Sequence, residues 1–149
     1  MTETPPLVLL VEDHPGDARL VVQALAQTPA RPRVLHIRSG SEAAQLLLRG
    51  EGGRRVDLVL LDLNLPGVPG EGVLTILRDC SPHVPIVVYT TSSEPEEVRR
   101  AYAGGANCFL TKPADPLEIE SLMAAVVGFW LDPARLTPGD GRHERWLSI

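Results

Sequence analysis

The sequence predicts an α/β fold in which a parallel sheet lies between two layers of helices. Five short runs of aliphatic residues, each bounded by turn-forming residues, alternate along the chain with five segments that carry apolar residues at helical spacing. Such runs are typical of strands buried on both faces, as in a parallel sheet covered by helices. Strands that alternate with helices are joined by right-handed crossovers, which predicts a three-layer sandwich.

The strands are expected where aliphatic residues cluster, and in chain order they fall at 7–11, 34–37, 56–61, 86–89 and 107–111. The central run, which begins at Val56, delivers Asp62 and then breaks into a turn at Pro66 and Gly67. Five such strands fit the smaller doubly wound arrangement, a flavodoxin-like (βα)5 sandwich with the strand order 2-1-3-4-5.

The helices are predicted from apolar stripes, such as that of the first helix, which consists of Ala18, Val21, Val22 and Leu25. Residues that favour helix starts precede several of these segments. Asp13 or His14 is expected to cap the first helix, Ser92 or Ser93 the fourth, and Asp115 the fifth.

The chain of 149 residues fits one domain, which we expect over residues 7–130, with residues 131–149 as a C-terminal arm. Its formal net charge of −5 argues against a nucleic-acid partner, because phosphate backbones are bound by clustered Lys and Arg. The start of the sequence has no basic region leading into an apolar stretch, and no apolar run is long enough to span a bilayer. We therefore expect a cytoplasmic protein that binds neither nucleic acid nor membrane.

Polar residues follow four of the five predicted strands, at the point where each strand ends. They are Glu12 and Asp13 after the first strand, Asp62 after the third, Thr90 after the fourth and Lys112 after the fifth. In the order 2-1-3-4-5 the first and third strands are neighbours, so the three carboxylates are expected to converge at one edge of the sheet. Asp62 alone is explained as readily by a role in its turn, but polar groups at four strand ends favour one site.

Three carboxylates held together repel one another and raise each other's pKa unless a cation neutralises them. Ligation by oxygen alone favours Mg²⁺ or Mn²⁺, and Mg²⁺ commonly binds one or two carboxylates together with phosphate oxygens. A carboxylate can then attack phosphorus to give an aspartyl phosphate, while an ammonium and a hydroxyl hold the phosphoryl oxygens. Asp62, Lys112 and Thr90 supply those groups, and Asp17 is assigned no role beyond an acid in the first helical turn.

Over about residues 7–130 the chain resembles the receiver domains of two-component response regulators. The matching motifs, in order, are Glu12-Asp13, Asp62 with Leu65-Pro66-Gly67 after it, Thr90, and Lys112-Pro113. The resemblance implies that Asp62 accepts a phosphoryl group from a phosphohistidine of a sensor histidine kinase. It also implies a site for Mg²⁺ or Mn²⁺ made by Asp13, Asp62 and the backbone carbonyl of Asn64, with Glu12 acting directly or through water.

By the same resemblance, Thr90 and Lys112 bind the phosphoryl oxygens, and Thr90 and Phe109 form the switch. A cis peptide between Lys112 and Pro113 would match the family. Phe109 stands where the family often has Tyr, so we expect switching by ring packing without a phenolic hydrogen bond. Thr91 is larger than the residue common beside the switch hydroxyl, and we expect it to slow access of water to the acyl phosphate.

The resemblance further implies a phosphoacceptor that assists its own phosphorylation and dephosphorylation, and not an enzyme with a separate substrate. No output domain follows residue 130, so a stand-alone receiver is expected. The chain most resembles the small single-domain regulators paired with bacterial phytochrome histidine kinases. The segments that carry this resemblance are Val11-Glu12-Asp13, Thr90-Thr91-Ser92 and Ala106-Asn107-Cys108-Phe109.

Large apolar residues continue beyond the last predicted helix, as far as Trp146, Leu147 and Ile149. The Pro and Gly residues between them are typical of a disordered tail. Exposed apolar groups, however, often mark an interface. We expect a homodimer in which the fourth and fifth helices and this arm pack across a two-fold axis.

Two other functions place similar residues at strand ends. A phosphatase of the haloacid dehalogenase type also uses an Asp with Mg²⁺, but it needs an acid two residues on, where Asn64 cannot donate a carboxylic proton. Nucleotide binding in a flavodoxin-like or dinucleotide-binding fold requires a glycine-rich first loop, whereas Glu12 and Asp13 put carboxylates where phosphates would lie.

Overall fold

The structure, a computed structural model, describes residues 4–67 and 69–131. Five strands and five helices alternate in the described residues, as the sequence predicts. They are β1 (Leu7–Val11), α1 (Pro15–Ala26), β2 (Arg33–Ile37), α2 (Gly40–Arg49), β3 (Leu58–Leu61), α3 (Gly70–Cys80), β4 (Ile86–Thr90), α4 (Pro95–Ala103), β5 (Cys108–Thr111) and α5 (Pro116–Trp130).

The strands form one parallel sheet in the order β2-β1-β3-β4-β5, which confirms the predicted topology. β3 is the middle strand, and each of its four residues is buried. The register pairs Val11 of β1 with Leu61 of β3, so these two strands end at the same level. The residues that follow them therefore lie side by side.

Two apolar cores cover the two faces of the sheet. The core beneath α1 and α5 takes from β1 and β3 the side chains of Val8, Leu10, Leu58 and Leu60. The core beneath α2, α3 and α4 takes Leu9, Val11, Val59 and Leu61. Successive side chains of a strand point to opposite faces, so a strand between two helix layers is apolar at every position.

The end of the described chain packs with the first core, since Leu131 is fully buried there. Leu131 is the first residue of the predicted C-terminal arm, and residues 132–149 lie outside the described residues. Within residues 4–67 and 69–131, none of the helices has the length and apolarity that crossing a membrane requires.

Two of the three predicted helix caps are present. His14 caps α1, with its Nδ1 accepting a hydrogen bond of 3.2 Å from the backbone N–H of Asp17. Asp115 caps α5, with its carboxylate accepting one of 3.0 Å from the backbone N–H of Leu117. Each cap satisfies a backbone donor that has no partner inside its helix.

The prediction that Ser92 or Ser93 caps α4 is wrong. The helix begins at Pro95, which places Glu94 at the cap position, and the Glu94 side chain makes no capping hydrogen bond. The Ser92 hydroxyl lies outside the helix and accepts a bond of 3.4 Å from the backbone N–H of Glu94. Proline favours the first helical position because it has no N–H to satisfy.

Gly70 brings the loop that follows β3 close to the start of α3. A Cβ atom at this position would lie 2.4 Å from the carbonyl oxygen of Leu63, a distance at which the chain would have to shift. Only glycine allows the backbone to approach this closely. The loop that carries residues 62–65 is thereby held against the helix.

Candidate functional site

Two buried carboxylates lie at the carboxyl end of the sheet, one after each of two neighbouring strands. Glu12 follows β1 and is 1% exposed, and Asp62 follows β3 and is 6% exposed. Backbone bonds fix both positions, because Glu12 N–H donates to the Ile37 carbonyl and Asp62 N–H to the Val11 carbonyl, each at 3.0 Å. The sheet therefore determines where the two acids meet.

Lys112 brings a buried ammonium group to these acids. It follows β5, and its backbone N–H donates to the Thr90 carbonyl at 2.6 Å. Its Nζ donates to Glu12 Oε1 at 2.5 Å, to Asp17 Oδ2 at 2.9 Å and to Asp62 Oδ2 at 3.0 Å. The three N–H donors of the ammonium thus each meet a different carboxylate.

The peptide that follows this lysine differs from the expectation. The described residues contain no cis peptide bond, so Lys112–Pro113 is trans and the cis expectation is wrong. The Lys112 side chain reaches the acids from the end of β5, and it also lies over the ring of Tyr89, with Nζ 5.8 Å from the ring centroid. A cation at this distance is attracted by the face of the ring.

The two buried carboxylates differ in proton affinity. Burial, together with the neighbouring Asp62 carboxylate, raises the pKa of Glu12 from 4.5 to about 7, although Lys112 opposes the shift. Burial also acts to raise the pKa of Asp62. Hydrogen bonds from Glu12, the Asn64 N–H and Lys112 outweigh that effect and hold the Asp62 pKa below its usual value. Below about pH 7 the pair therefore holds its proton on Glu12, whereas Asp62 stays ionised.

The same contacts act on the lysine in the opposite sense. Burial acts to lower the pKa of Lys112, but hydrogen bonds to Glu12, Asp17 and Asp62 outweigh it and raise that pKa. A buried cation is stable only where anions compensate its lost hydration. The ammonium is therefore permanently charged in this site.

Asn64 connects Asp62 to the hydroxyl groups at the end of β4. Its backbone N–H donates to Asp62 Oδ1 at 3.0 Å. Its side-chain amide donates to Thr90 Oγ1 at 3.2 Å and to Thr91 Oγ1 at 3.3 Å. Thr90 is fully buried, whereas Thr91 is exposed, so the amide spans the boundary between the site and solvent.

The oxygen-rich donor set fits a hard divalent cation. The side chains of Glu12 and Asp62 are adjacent, and each places one oxygen on the Lys112 ammonium. Among residues 4–67 and 69–131, no three side chains of His, Cys, Asp or Glu are arranged to hold a metal ion together. Adjacent acid oxygens of this kind suit Mg²⁺, which commonly binds one or two carboxylates and keeps several waters.

The structure brings together Glu12, Asp62 and Lys112, as the sequence predicts. Asp13 is exposed and is not among the acids that Lys112 contacts in the described residues. Phe109 is also outside the acidic cluster, since it packs partly buried against the core beneath α2, α3 and α4.

Sequence reasoning missed two contributions to the site. The first is the carboxylate of Asp17, which lies on α1 and binds Lys112. Its only signal in the sequence is its place one turn after the acidic pair, on the helix that begins beside the site. The second is the side-chain amide of Asn64, for which only the backbone carbonyl was predicted.

A parallel five-stranded sheet in this order, with buried carboxylates and a lysine at its carboxyl edge, defines the receiver class of α/β signalling domains. The family model of the response regulator receiver domain matches residues 8–124. The chain belongs to the response regulator receiver family.

Its similarity extends to particular response regulators. The probable methanogenesis regulatory protein FilR2 of Methanothrix harundinacea is 35% identical over 133 residues, which cover 87% of this chain and 86% of FilR2. Response regulator Rcp1 of Synechocystis sp. is 33% identical over 137 residues, which cover 89% of this chain and 93% of Rcp1.

Solved structures agree with this placement. The phosphorylated cyanobacterial phytochrome response regulator RcpA matches with a TM-score of 0.78 at 32% identity, covering 87% of this chain and 96% of RcpA. The Mn²⁺-bound form of Rcp1 matches with a TM-score of 0.74 at 33% identity, covering 89% of this chain and 98% of Rcp1. The comparisons give no support to the phosphatase alternative.

Proposed function

We propose that Asp62 accepts a phosphoryl group from a phosphohistidine of a sensor histidine kinase, with Mg²⁺ or Mn²⁺ as the cofactor. The observation that carries this proposal is the state of the Asp62 carboxylate. It is 6% exposed at the end of the central strand, its Oδ2 lies 3.0 Å from Lys112 Nζ, and its pKa is held below the usual value. A buried carboxylate that stays ionised is suited to act as a nucleophile.

In the proposed transfer, a carboxylate oxygen of Asp62 attacks phosphorus. The bond between phosphorus and the imidazole nitrogen breaks, and its electron pair stays on the histidine of the kinase. The Asn64 N–H binds one oxygen of the carboxylate and the Lys112 ammonium binds the other before the attack. Lys112 then binds a phosphoryl oxygen, and the Thr90 hydroxyl, already linked to the site through Asn64, binds another.

Glu12, Asp13, Asp62 and the Asn64 carbonyl are the proposed ligands of the cation. When bound, the cation supplies positive charge to the oxygens of the transferring group. The cation would compete with the proton on Glu12, whose pKa is about 7, and with Lys112, which binds one oxygen each of Glu12 and Asp62. The Mn²⁺-bound form of the relative Rcp1 supports this part of the proposal.

Thr90 and Phe109 are the proposed switch residues. Thr90 is at the end of β4 and Phe109 is on the adjacent strand β5. The backbone N–H of Phe109 donates to the Tyr102 hydroxyl of α4 at 3.1 Å, which links β5 to that helix. Movement of Thr90 towards a phosphoryl oxygen would leave space that the Phe109 ring, which carries no hydroxyl, can fill.

Intact-mass measurement after incubation with Mg²⁺ and acetyl phosphate or phosphoramidate tests the proposed acceptor. Wild type is expected to gain one phosphoryl group and Asp62→Asn none. The matched control is Asp79→Asn, which changes an exposed residue at the C-terminal end of α3 and is expected to behave as wild type. Absence of a mass increase in wild type with either donor would contradict the proposal.

We further propose that the cognate kinase is of the bacterial phytochrome type. Support comes from the likeness to Rcp1 and to the phytochrome response regulator RcpA. A purified phytochrome kinase is expected to transfer its phosphoryl group to this protein faster than an unrelated histidine kinase does under the same conditions. Equal rates from the two kinases would contradict this pairing.

We also propose that the protein forms a homodimer through α4, α5 and residues 131–149. Large apolar side chains on these two helices are exposed: Tyr102 by 48%, Leu117 by 71% and Phe129 by 48%. Light scattering at micromolar concentration is expected to give the mass of a dimer. A monomeric mass would contradict the proposal. A variant that lacks residues 132–149 and is still a dimer would contradict the role of this segment.

A further inference from the structure

Asp17 differs from the other two carboxylates that bind Lys112. Glu12 and Asp62 are buried at strand ends, whereas the Asp17 side chain belongs to α1 and is 37% exposed. Its Oδ2 accepts from Lys112 Nζ at 2.9 Å, as short a contact as that to Asp62 at 3.0 Å. Lys112 is thus shared between two proposed metal ligands and one acid that is not among them.

The Lys112 ammonium and a divalent cation would bind the same two acids, Glu12 and Asp62. The ammonium of Lys112 binds Glu12 Oε1 and Asp62 Oδ2, and the other oxygens of the two acids, Glu12 Oε2 and Asp62 Oδ1, accept from the backbone N–H groups of His14 and Asn64. A cation bound to both acids would therefore compete with the ammonium for them. A displaced ammonium without a new partner would stay close to a second positive charge in a site where its side chain is only 9% exposed.

We propose that Asp17 is a positioning residue that retains the Lys112 ammonium when a divalent cation takes Glu12 and Asp62. The inference rests on the proposed function, because it uses the metal ligands assigned there. Asp17 is already in hydrogen-bond contact with Nζ, so the ammonium keeps one carboxylate partner through the exchange. The residual exposure of Asp17 lets water complete the hydration that the ammonium loses at the buried acids.

The charges in the site also predict that loss of the Asp17 carboxylate weakens cation binding. Before cation binding, the ammonium contacts three acid side chains; in the proposed cation-bound state two of them serve the cation and Asp17 serves the ammonium. Replacing Asp17 by Asn keeps the shape of the side chain and removes the anion. Cation binding then has to leave an ammonium without an anionic partner, which weakens the binding.

The test is a double-mutant cycle read by Mn²⁺ binding, measured by calorimetry and by electron paramagnetic resonance of free Mn²⁺. Asp17→Asn is expected to weaken Mn²⁺ binding by about tenfold, the size of one charge-assisted hydrogen bond. In the Lys112→Met background the same substitution is expected to change the affinity by less than about twofold, since the coupling of neighbours is what such a cycle measures. Asp79→Asn, which makes the same change of charge on an exposed face of α3, is the control.

Each outcome decides the inference. A tenfold loss that disappears with Lys112→Met supports it, and unchanged far-UV circular dichroism and thermal unfolding of Asp17→Asn exclude misfolding as the cause. An equal loss in both backgrounds would overturn it, because Asp17 would then act on the cation directly through its field. The inference would also be overturned if Asp17→Asn alone left the Mn²⁺ affinity unchanged.

Failure of the inference and failure of the proposed function are distinguishable. A wild type that binds Mn²⁺ and gains a phosphoryl group, with Asp17→Asn unchanged in affinity, overturns only the role of Asp17. A wild type that neither binds Mn²⁺ nor gains a phosphoryl group overturns both.

Discussion

Substitution of Glu12 by Gln tests the electrostatics of the buried site through the pH dependence of stability. Glu12 is 1% exposed, and its pKa rises from 4.5 to about 7 in the folded protein. Between these values the folded protein holds a proton that the unfolded chain has released. The free energy of unfolding therefore falls as pH rises through this window, and the stabilisation by the protonated form is complete only below pH 4.5.

The expected size of the effect follows from the shift. Each pKa unit corresponds to about 1.4 kcal/mol, so the rise from 4.5 to about 7 gives about 3 kcal/mol. Asp62 titrates below its usual value of 3.8 and so stays outside the window. Because Gln cannot ionise, Glu12→Gln lacks this contribution, and wild type is expected to lose about 3 kcal/mol relative to the variant between pH 4.5 and 8.

Urea unfolding in the presence of EDTA, followed by circular dichroism from pH 4.5 to 8, measures the difference. Glu120→Gln, which makes the same substitution at an exposed position of α5, is the control and is expected to run parallel to wild type. If wild type and Glu12→Gln differ by a constant amount across this range, the assignment of the shared proton to Glu12 is refuted.

Mn²⁺ affinity, measured by calorimetry, is expected to rise from pH 6 to pH 8 because the cation competes with the Glu12 proton; equal affinities would be inconsistent with this competition. Arg78→Ala is expected to lower the free energy of unfolding by about 3 kcal/mol in urea, since its guanidinium donates to the carbonyls of residues 81, 82, 84 and 105 and to Asn107. The control there is the exposed Arg99→Ala, and an equal loss in both would show that the hydrogen bonds of Arg78 contribute nothing specific. Thr91→Ala is expected to lose its phosphoryl group faster than wild type in a time course of intact mass, and an unchanged rate would remove the shielding role of Thr91.

The sequence predicts the sheet well because its strands are buried on both faces. A position between two helix layers must be apolar, so aliphatic runs such as Leu58–Leu61 mark the strands directly. Polar residues that end such runs then mark the carboxyl edge. Glu12, Asp62 and Lys112 were found in this way, since the parallel topology leaves only one edge where all three can meet.

Short-range signals were less reliable where two nearby residues compete for one role. Ser92 and Ser93 both have side chains that can cap a helix, but the proline at 95 begins α4 and gives the cap position to Glu94. The same holds for the acidic pair after β1, where Glu12 turns inward and is buried while Asp13 is exposed. A shift of one residue reverses the direction of a side chain at the end of a strand.

The fold, the edge of the sheet that carries the site, and the central residues Glu12, Asp62 and Lys112 can be predicted from the order of the aliphatic runs and the polar residues that end them. The other groups that meet these residues depend on how helices and loops pack against the sheet. Asp17 and Lys112 are 95 residues apart, and their contact depends on how α1 is placed against the sheet. The amide of Asn64 reaches Thr90 because the loop after β3 takes one particular path. Periodicity specifies which face of an element is buried, whereas such contacts between distant segments are set by the packing of complete elements.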